Sequence, residues 1–317
     1  MVRTYLTFRV MAIVALTAYV ILRNDTAPVW QLDLLLFNLV AVFAALTLLF
    51  SPVPDDWPGR LGITAAILVW SIGSIASSLE SFFALDLHQL AQISYALFYP
   101  IALYGITRAI RFKVSSKSLE ILDTLIIALG CTTILSAFLI RPAMTSISGS
   151  SFEVFLAILY PVGDVILLVT VFTLSMLHRF SLRNLLLTSG VLVYTVSDFY
   201  FLYSSQAGSY EFGSMTDIGW LIGFILISEA IWHRGDETNA PRSFNPTAAT
   251  LALLGSSTIL AIAVFQPQYF PRFILVPAFA TIALSFMRMG VAISWSAVSC
   301  PTSVPDSGMN NWHIRWK

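Results

Sequence analysis

Long apolar stretches separated by short polar breaks dominate this chain. Crossing a lipid bilayer takes about 20 mainly apolar residues, and ten segments approach that length, with edges uncertain by a few residues. They are residues 5–22, 32–50, 61–79, 87–107, 119–140, 152–177, 184–204, 214–232, 247–265 and 272–292. Pro and Gly recur in the breaks, as is typical of connections between helices. The pattern predicts an all-α fold, a polytopic transmembrane helical bundle.

The composition points to the same class of protein. Of the 317 residues, 57% are hydrophobic and 11% are charged, whereas soluble domains carry about 25% charged residues. The formal net charge is zero, so there is no basic surface of the kind that binds nucleic acid. The first apolar run, Val10 to Leu22, lacks a small-residue cleavage pattern after it and is predicted to be an uncleaved membrane helix.

Lysine and arginine fall in alternate loops, which predicts the orientation of the chain. Loop 108–118 holds four of them, and loops 178–183 and 233–246 hold further arginines. Loops 80–86 and 205–213 hold none. Because basic loops stay in the cytoplasm, both termini are predicted to be cytoplasmic, in the plasma or inner membrane of a bacterial cell.

A weak internal repeat divides the predicted membrane domain, residues 1–298. Residues 67–74 align with 191–198, so that Ser74 corresponds to Asp198, and Tyr95 in the next helix aligns with Trp220. This predicts parallel repeats over residues 5–107 and 119–232, with extra helices in 247–298. Chance similarity between apolar helices is the alternative.

No motif for catalysis or for a cofactor is present. The chain has no Gly-rich phosphate loop ending in Lys, no His-Glu-x-x-His and no Gly-x-Ser-x-Gly. The two cysteines form neither a disulfide framework nor a zinc spacing. The chain is therefore not predicted to be an enzyme, and no catalytic, cofactor or metal site is predicted.

Three aspartates within predicted membrane helices are the candidate functional residues. Asp164 lies ~18 Å along the sixth helix, and Asp198 lies ~9 Å from the outer end of the seventh, at 1.5 Å per residue. Asp217 lies at the outer mouth of the eighth helix. Acids at such depth are expensive to bury, so they are hypotheses for a site. Asp123, near the inner end of the fifth helix, is instead predicted to be structural.

Two interpretations of these acids remain open. In one, a pocket that is open to the outside binds a small cationic or hydrogen-bonding ligand, or senses protons, and is formed by Tyr160, Asp164, Tyr194, Asp198, Asp217 and Trp220. In the other, the acids hold helices together through hydrogen bonds. Helices five to eight hold no buried Lys or Arg to pair with the acids, and Arg141 at the outer mouth is the nearest candidate partner. A kink beside Pro161 and Gly163 is expected to make room near Asp164.

One ordered set of motifs carries a resemblance to a known family. In chain order it runs Arg108 to Lys117, Leu122-Asp123-Thr124-Leu125-Ile126-Ile127-Ala128-Leu129-Gly130, Arg141-Pro142, Tyr160-Pro161-Val162-Gly163-Asp164, Ser197-Asp198 and Asp217-Ile218-Gly219-Trp220. The set resembles the N-terminal multi-pass membrane sensor region of bacterial, notably actinobacterial, GGDEF/EAL signalling proteins. The resemblance covers residues 60–292 and implies a membrane module ahead of domains that make or degrade cyclic di-GMP.

The end of the chain departs from that family. After Arg288-Met289-Gly290 no GGDEF-like or EAL-like domain follows, and the polar stretch 299–317 is predicted to be a disordered or truncated cytoplasmic tail. Cyclase or phosphodiesterase activity is therefore not implied.

The expected function is a sensory, signal-transduction module without a catalytic output domain. Its expected partners are the lipid bilayer, a small external ligand or protons, and a second copy of the chain in a homodimer. A small-solute transporter is the alternative from a different class, and a fragment of a longer gene is a third. The apolar inner half of helices six to eight favours sensing, because a transporter needs polar residues in both leaflets.

Overall fold

A computed structural model describes residues 2–23, 27–52, 57–111, 122–123, 125–134, 137, 151–177, 181–211, 213–233, 246–265 and 274–299. Ten helices and no strand are found in these ranges. They are α1 (Val2–Arg23), α2 (Gln31–Leu49), α3 (Trp57–Phe83), α4 (His88–Arg111), α5 (Leu125–Ile134), α6 (Ser151–Leu177), α7 (Leu182–Gln206), α8 (Met215–Trp232), α9 (Pro246–Phe265) and α10 (Leu275–Ser299).

The all-α prediction is thus confirmed for the part of the chain that the structure describes. Most helix ends fall within four residues of the predicted ones, and α10 extends seven residues past the predicted 292. Five helices are long and apolar enough to cross a membrane: Arg3–Arg23, Gln31–Leu49, Trp57–Phe83, His88–Ala109 and Leu182–Ser205. The tail predicted for 299–317 lies outside the described residues, apart from Ser299, which ends α10.

Six helices form a closed ring. In order around the ring, α2, α3, α4, α6, α7 and α8 each pack against the next, and α8 packs back against α2. Helix α1 lies against α2 and α8. The interior of the ring is an apolar core to which every one of its helices contributes, for example Val40, Ile67, Leu187 and Phe224.

Glycines allow the closest helix contacts. A Cβ added at Gly105 of α4 would lie 2.5 Å from the backbone nitrogen of Ile63 in α3. A Cβ at Gly190 of α7 would lie 2.9 Å from the carbonyl oxygen of Gly223 in α8. Small residues at a helix crossing let two backbones approach, which is how helices associate in membranes.

The two ends of the ring differ in character. One end, here called the basic end, carries Arg60, Arg108 and Arg183 on α3, α4 and α7. The other, here called the cavity end, carries the connections 84–87 and 207–211. At the basic end Arg9 of α1 forms an ion pair with Glu229 of α8, at 2.6 Å.

Helices α5, α9 and α10 pack on one another. Ala252 of α9 lies against Ile126 and Ile127 of α5 in one apolar cluster. Arg288 of α10 donates two hydrogen bonds to the carboxylate of Asp123, just ahead of α5. Asp123, which was predicted to be structural, thus has its described partner on α10.

Candidate ligand cavity

A cavity of about 400 Å³ opens inside the ring at the cavity end. Helices α1, α2, α3, α4, α6, α7 and α8 all contribute to its wall, as does Tyr210 in the connection between α7 and α8. Its volume falls in the range of pockets that hold small organic molecules. Because sequence-distant helices form the wall, the cavity exists only once the ring has closed.

All six candidate residues lie in the wall of this one cavity: Tyr160, Asp164, Tyr194, Asp198, Asp217 and Trp220. They are not equivalent within it. Asp164 and Asp198 share a hydrogen-bond cluster deep in the cavity, and Asp217 belongs to a second cluster. Their common placement agrees with the pocket interpretation, while their role in binding a ligand stays a prediction.

Tyr99 of α4 connects the two deep aspartates. Its hydroxyl lies 3.1 Å from Oδ1 of Asp164 and 2.9 Å from Oδ2 of Asp198. The indole N–H of Trp220 donates to Oδ1 of Asp198, at 2.8 Å. The four side chains Tyr99, Asp164, Asp198 and Trp220 are here called the dyad cluster. It joins α4, α6, α7 and α8, so the acids also hold helices together.

Gly163 makes the space that Tyr99 occupies. A Cβ at position 163 would lie 2.5 Å from the Tyr99 ring, so a larger residue there would displace the phenol from both carboxyl groups. Helix α6 is one continuous α-helix through Pro161. The missing side chain at Gly163 gives the Tyr99 ring room beside Asp164, and the kink expected beside Pro161 stays a prediction.

Asp217 is held at the start of α8 by groups from the preceding connection. The Tyr210 hydroxyl donates to its Oδ1 at 3.0 Å, and the Gly213 backbone N–H donates to its Oδ2 at 2.5 Å. Gly213 has a φ of +81°, which favours glycine. Burial, and then the neighbouring Asp217 carboxylate, raises the pKa of Tyr210 well above its ordinary value, so Tyr210 stays a donor.

A buried ion pair that the sequence had not indicated lies beside Asp217. Arg23 of α1 donates from Nε to Oδ1 of Asp33 in α2, at 2.9 Å, and both side chains are buried. The Tyr19 hydroxyl and the Val29 backbone N–H also donate to Asp33. A Cβ on Gly213 would lie 1.9 Å from Arg23 Nε. Arg23 therefore packs directly over the connection that holds Asp217.

Aromatic rings cover much of the remaining wall. The Trp70 ring centroid lies 5.8 Å from that of Trp220 and 6.0 Å from that of Tyr95. Tyr160 stacks beside Tyr99 at 6.3 Å, and its hydroxyl donates to the Gln92 carbonyl oxygen at 3.0 Å. The cavity thus presents ring faces and carboxylates side by side.

Apolar packing closes the cavity toward the basic end. Tyr194 packs against Phe98 and Phe224, with ring centroids 5.0 Å and 5.4 Å away. Below these rings lies a void of about 10 Å³, lined by aliphatic and aromatic side chains that include Ile63, Ile106 and Leu167. A void of this size is at the limit of holding one water molecule, so the wall below Tyr194 is a floor.

The contributions of α1 and α2 to the cavity wall, and that of Tyr99 in α4, were not predicted from the sequence. Asp33 follows a proline-containing stretch near the predicted membrane edge, and Tyr99 lies in an apolar helix, so neither has a local signal. The repeat alignment did carry a signal for α3 and α4. Ser74 and Tyr95, the counterparts of Asp198 and Trp220, both line the cavity and hydrogen-bond to each other.

Tyr200, two residues after Asp198, is 56% exposed and is not among the residues that line the cavity. Arg141 lies outside the described residues, and the cation found near the acids is Arg23. Within the described ranges no group of three or more His, Cys, Asp or Glu side chains is placed to hold a metal ion.

Comparisons with protein-family models, with curated proteins and with solved structures found no match for the chain. The geometry of the cavity therefore has to carry the functional argument.

Proposed function

We propose that this chain is a multi-pass protein of the plasma or inner membrane that receives a small external molecule in the cavity and acts as a sensory, signal-transduction module. The observation that carries the proposal is a cavity of about 400 Å³ at one end of the ring, with an apolar floor beneath it. A blind pocket of this kind suits the recognition of a ligand.

The orientation in the proposal comes from the charges. The arginines Arg60, Arg108 and Arg183 lie at the basic end, so that end faces the cytoplasm under the positive-inside rule. Both termini are then cytoplasmic, and the cavity opens to the outside.

The resemblance to sensor regions of GGDEF/EAL proteins supports the sensory part of the proposal. In those proteins the output domain follows the membrane region on the cytoplasmic side. A signal received in the cavity would reach the cytoplasm through the rigid helices of the ring.

A small-solute transporter is the second candidate, because a polar cavity inside a bundle is also a substrate site in transporters. The apolar floor favours sensing. A transporter must open the same cavity to the other side, and the packing of Tyr194, Phe98 and Phe224 blocks that route in this conformation.

Reporter fusions after residues 85, 113 and 210 test the orientation. We expect an external reporter at 85 and 210 and a cytoplasmic one at 113. An external position 113 would contradict the orientation and with it the outward opening of the cavity.

Binding and uptake measured on the same preparation separate a sensor from a transporter. The full chain is reconstituted into liposomes, and compounds that raise its unfolding temperature are offered in radiolabelled form. A sensor retains at most stoichiometric label. Label that accumulates beyond stoichiometry in the lumen, and that is absent from empty liposomes, would establish transport and contradict the sensory proposal.

A further inference from the structure

The charge of the cavity wall restricts what can enter it. Four carboxyl groups, those of Asp33, Asp164, Asp198 and Asp217, line the cavity, and its described lining residues include no Lys, Arg or His. Arg23 lies next to this wall and is engaged by Asp33. An anion would meet like charges in a setting of low dielectric, where repulsion is strong. The cavity therefore selects against anions.

No described cation forms an ion pair with either carboxyl group of the dyad cluster. Asp198 receives hydrogen bonds from the neutral groups of Tyr99 and Trp220. A phenol carries one hydrogen, so Tyr99 cannot donate fully to both Asp164 and Asp198 at once. Two adjacent carboxyl groups that share so few donors can take either a proton or a donor-rich cation between them.

The aromatic wall next to these carboxyl groups suits the same kind of ligand. Trp220 donates its N–H to Asp198 while its ring lies against Trp70. Tyr95 adjoins Trp70, and Tyr160 stacks on Tyr99. Ring faces attract ammonium groups, more strongly where water is excluded, and they also cover the apolar body of an organic ligand.

We propose that the cavity binds a small organic ammonium compound, with its N–H donors on the Asp164 and Asp198 carboxyl groups and its apolar body among Trp70, Tyr95 and Trp220. This assignment rests on the proposed function, since the ligand must reach the cavity from outside. It names the chemical class of that ligand: a primary or secondary amine, charged at neutral pH, within about 400 Å³.

Two other classes fit the wall less well. The four carboxyl groups are spread over the cavity, and no three lie together as ligands for a metal cation in the described part of the chain. A neutral polyol would use the aromatic faces and hydrogen-bonding groups, yet it would leave the carboxylate charge unpaired. Charge is thus the property that separates the proposal from its alternatives.

A panel of compounds of one shape and three charges tests the class. The probes are 2-phenylethylamine, 2-phenylethanol and 3-phenylpropanoate, titrated calorimetrically into the purified full chain in lipid nanodiscs at neutral pH. We expect the amine to bind at least about thirtyfold more tightly than the alcohol, as a desolvated charge pair implies, and the carboxylate not to bind. Equal affinity for the alcohol, preference for the carboxylate, or no binding of the amine would overturn the assignment.

Variants then locate the bound amine. Asp198→Asn should weaken amine binding by about thirtyfold or more and leave alcohol binding unchanged. The matched control is Glu80→Gln, which neutralises a carboxylate near the cavity end that is outside the cavity wall. If Asp198→Asn fails to fold, the wild-type panel still decides the class. If the alcohol binds and the amine does not, the assignment of an amine ligand is wrong, but the proposal of an external ligand site stands. The reporter fusions test the orientation of that site independently.

Discussion

The buried aspartates of this bundle have two kinds of hydrogen-bond partner, one cationic and one neutral. Removing these partners should lower the free energy of unfolding by different amounts. Asp33 has a cationic partner, Arg23, within the low-dielectric interior, whereas Asp198 has the neutral donors Tyr99 and Trp220. Removing one member of a buried ion pair leaves an uncompensated charge. Removing a neutral hydrogen bond between membrane helices has a smaller effect.

Arg23→Ala is therefore expected to lower the free energy of unfolding by about 3–5 kcal/mol. Arg9→Ala is the matched control, because the Arg9 side chain is 37% exposed in its pair with Glu229 and such pairs contribute about 0–1 kcal/mol. Denaturant titration of the chain in detergent micelles measures both. Equal losses for the two variants would contradict the buried character of the Arg23–Asp33 pair.

Asp198 allows its packing role and its charge to be separated. Asp198→Asn keeps the size and most of the hydrogen bonding, so its stability should stay close to wild type. Asp198→Leu should lose ~0.6–2 kcal/mol through lost interhelical hydrogen bonds. Denaturant titration in detergent micelles measures the free energy of unfolding of both variants. A large loss with Asn would show that the charge itself stabilises the dyad cluster.

The pH dependence of ligand binding offers a second test of the dyad cluster. Protons compete with an ammonium ligand for the Asp164 and Asp198 carboxyl groups, which face Tyr99 of α4, Tyr160 of α6, Tyr194 of α7 and Trp220 of α8. Binding of 2-phenylethylamine should therefore weaken as the pH falls. Titrations from neutral to acid pH on wild type and on Asp198→Asn measure it. An unchanged affinity in wild type would contradict carboxylate recognition.

At the scale of helices, the closest contact between α3 and α4 depends on glycine. Gly105→Ala would place a Cβ 2.5 Å from the Ile63 backbone, and relieving such overpacking costs about 1–3 kcal/mol. Gly290→Ala in α10 is the control, because no atom lies within 4 Å of its added Cβ. We expect a lower unfolding temperature for the first variant only. An unchanged unfolding temperature for Gly105→Ala would mean that α3 and α4 can move apart at little cost in free energy.

The helices themselves followed from the sequence because each is an almost unbroken apolar run, and hydropathy reports membrane helices directly. Depth along a helix was also predictable, so Asp164, Asp198 and Asp217 could be selected one helix at a time. The role of Gly163 could not be predicted, because it depends on the ring of Tyr99 from α4. A local pattern contains no information about a neighbour 64 residues away in sequence.

At the scale of the whole molecule, closure of the ring creates the site. The packing of α8 against α2 brings Asp33 to the same cavity as Asp217. Nothing in the local sequence pattern specified the α2–α8 contact. The partial exception is the repeat alignment, which paired Ser74 with Asp198 and Tyr95 with Trp220. It could have predicted that both halves of the chain line one cavity.

The central claim is that the cavity opens to one side of the membrane only. Ser77 of α3 lines the cavity and is small and partly exposed, so Ser77→Cys places a thiol there, after Cys131 and Cys300 are replaced. Ser181→Cys, ahead of α7 at the basic end, is the control. A membrane-impermeant maleimide is added to intact cells and, separately, to inside-out vesicles.

We predict that the thiol at position 77 reacts in intact cells and is protected in inside-out vesicles, with the reverse result at position 181. Reaction at position 77 from both sides would mean that the floor opens and that the chain transports its ligand. Reaction at position 77 from the cytoplasmic side alone would contradict the outward-facing cavity.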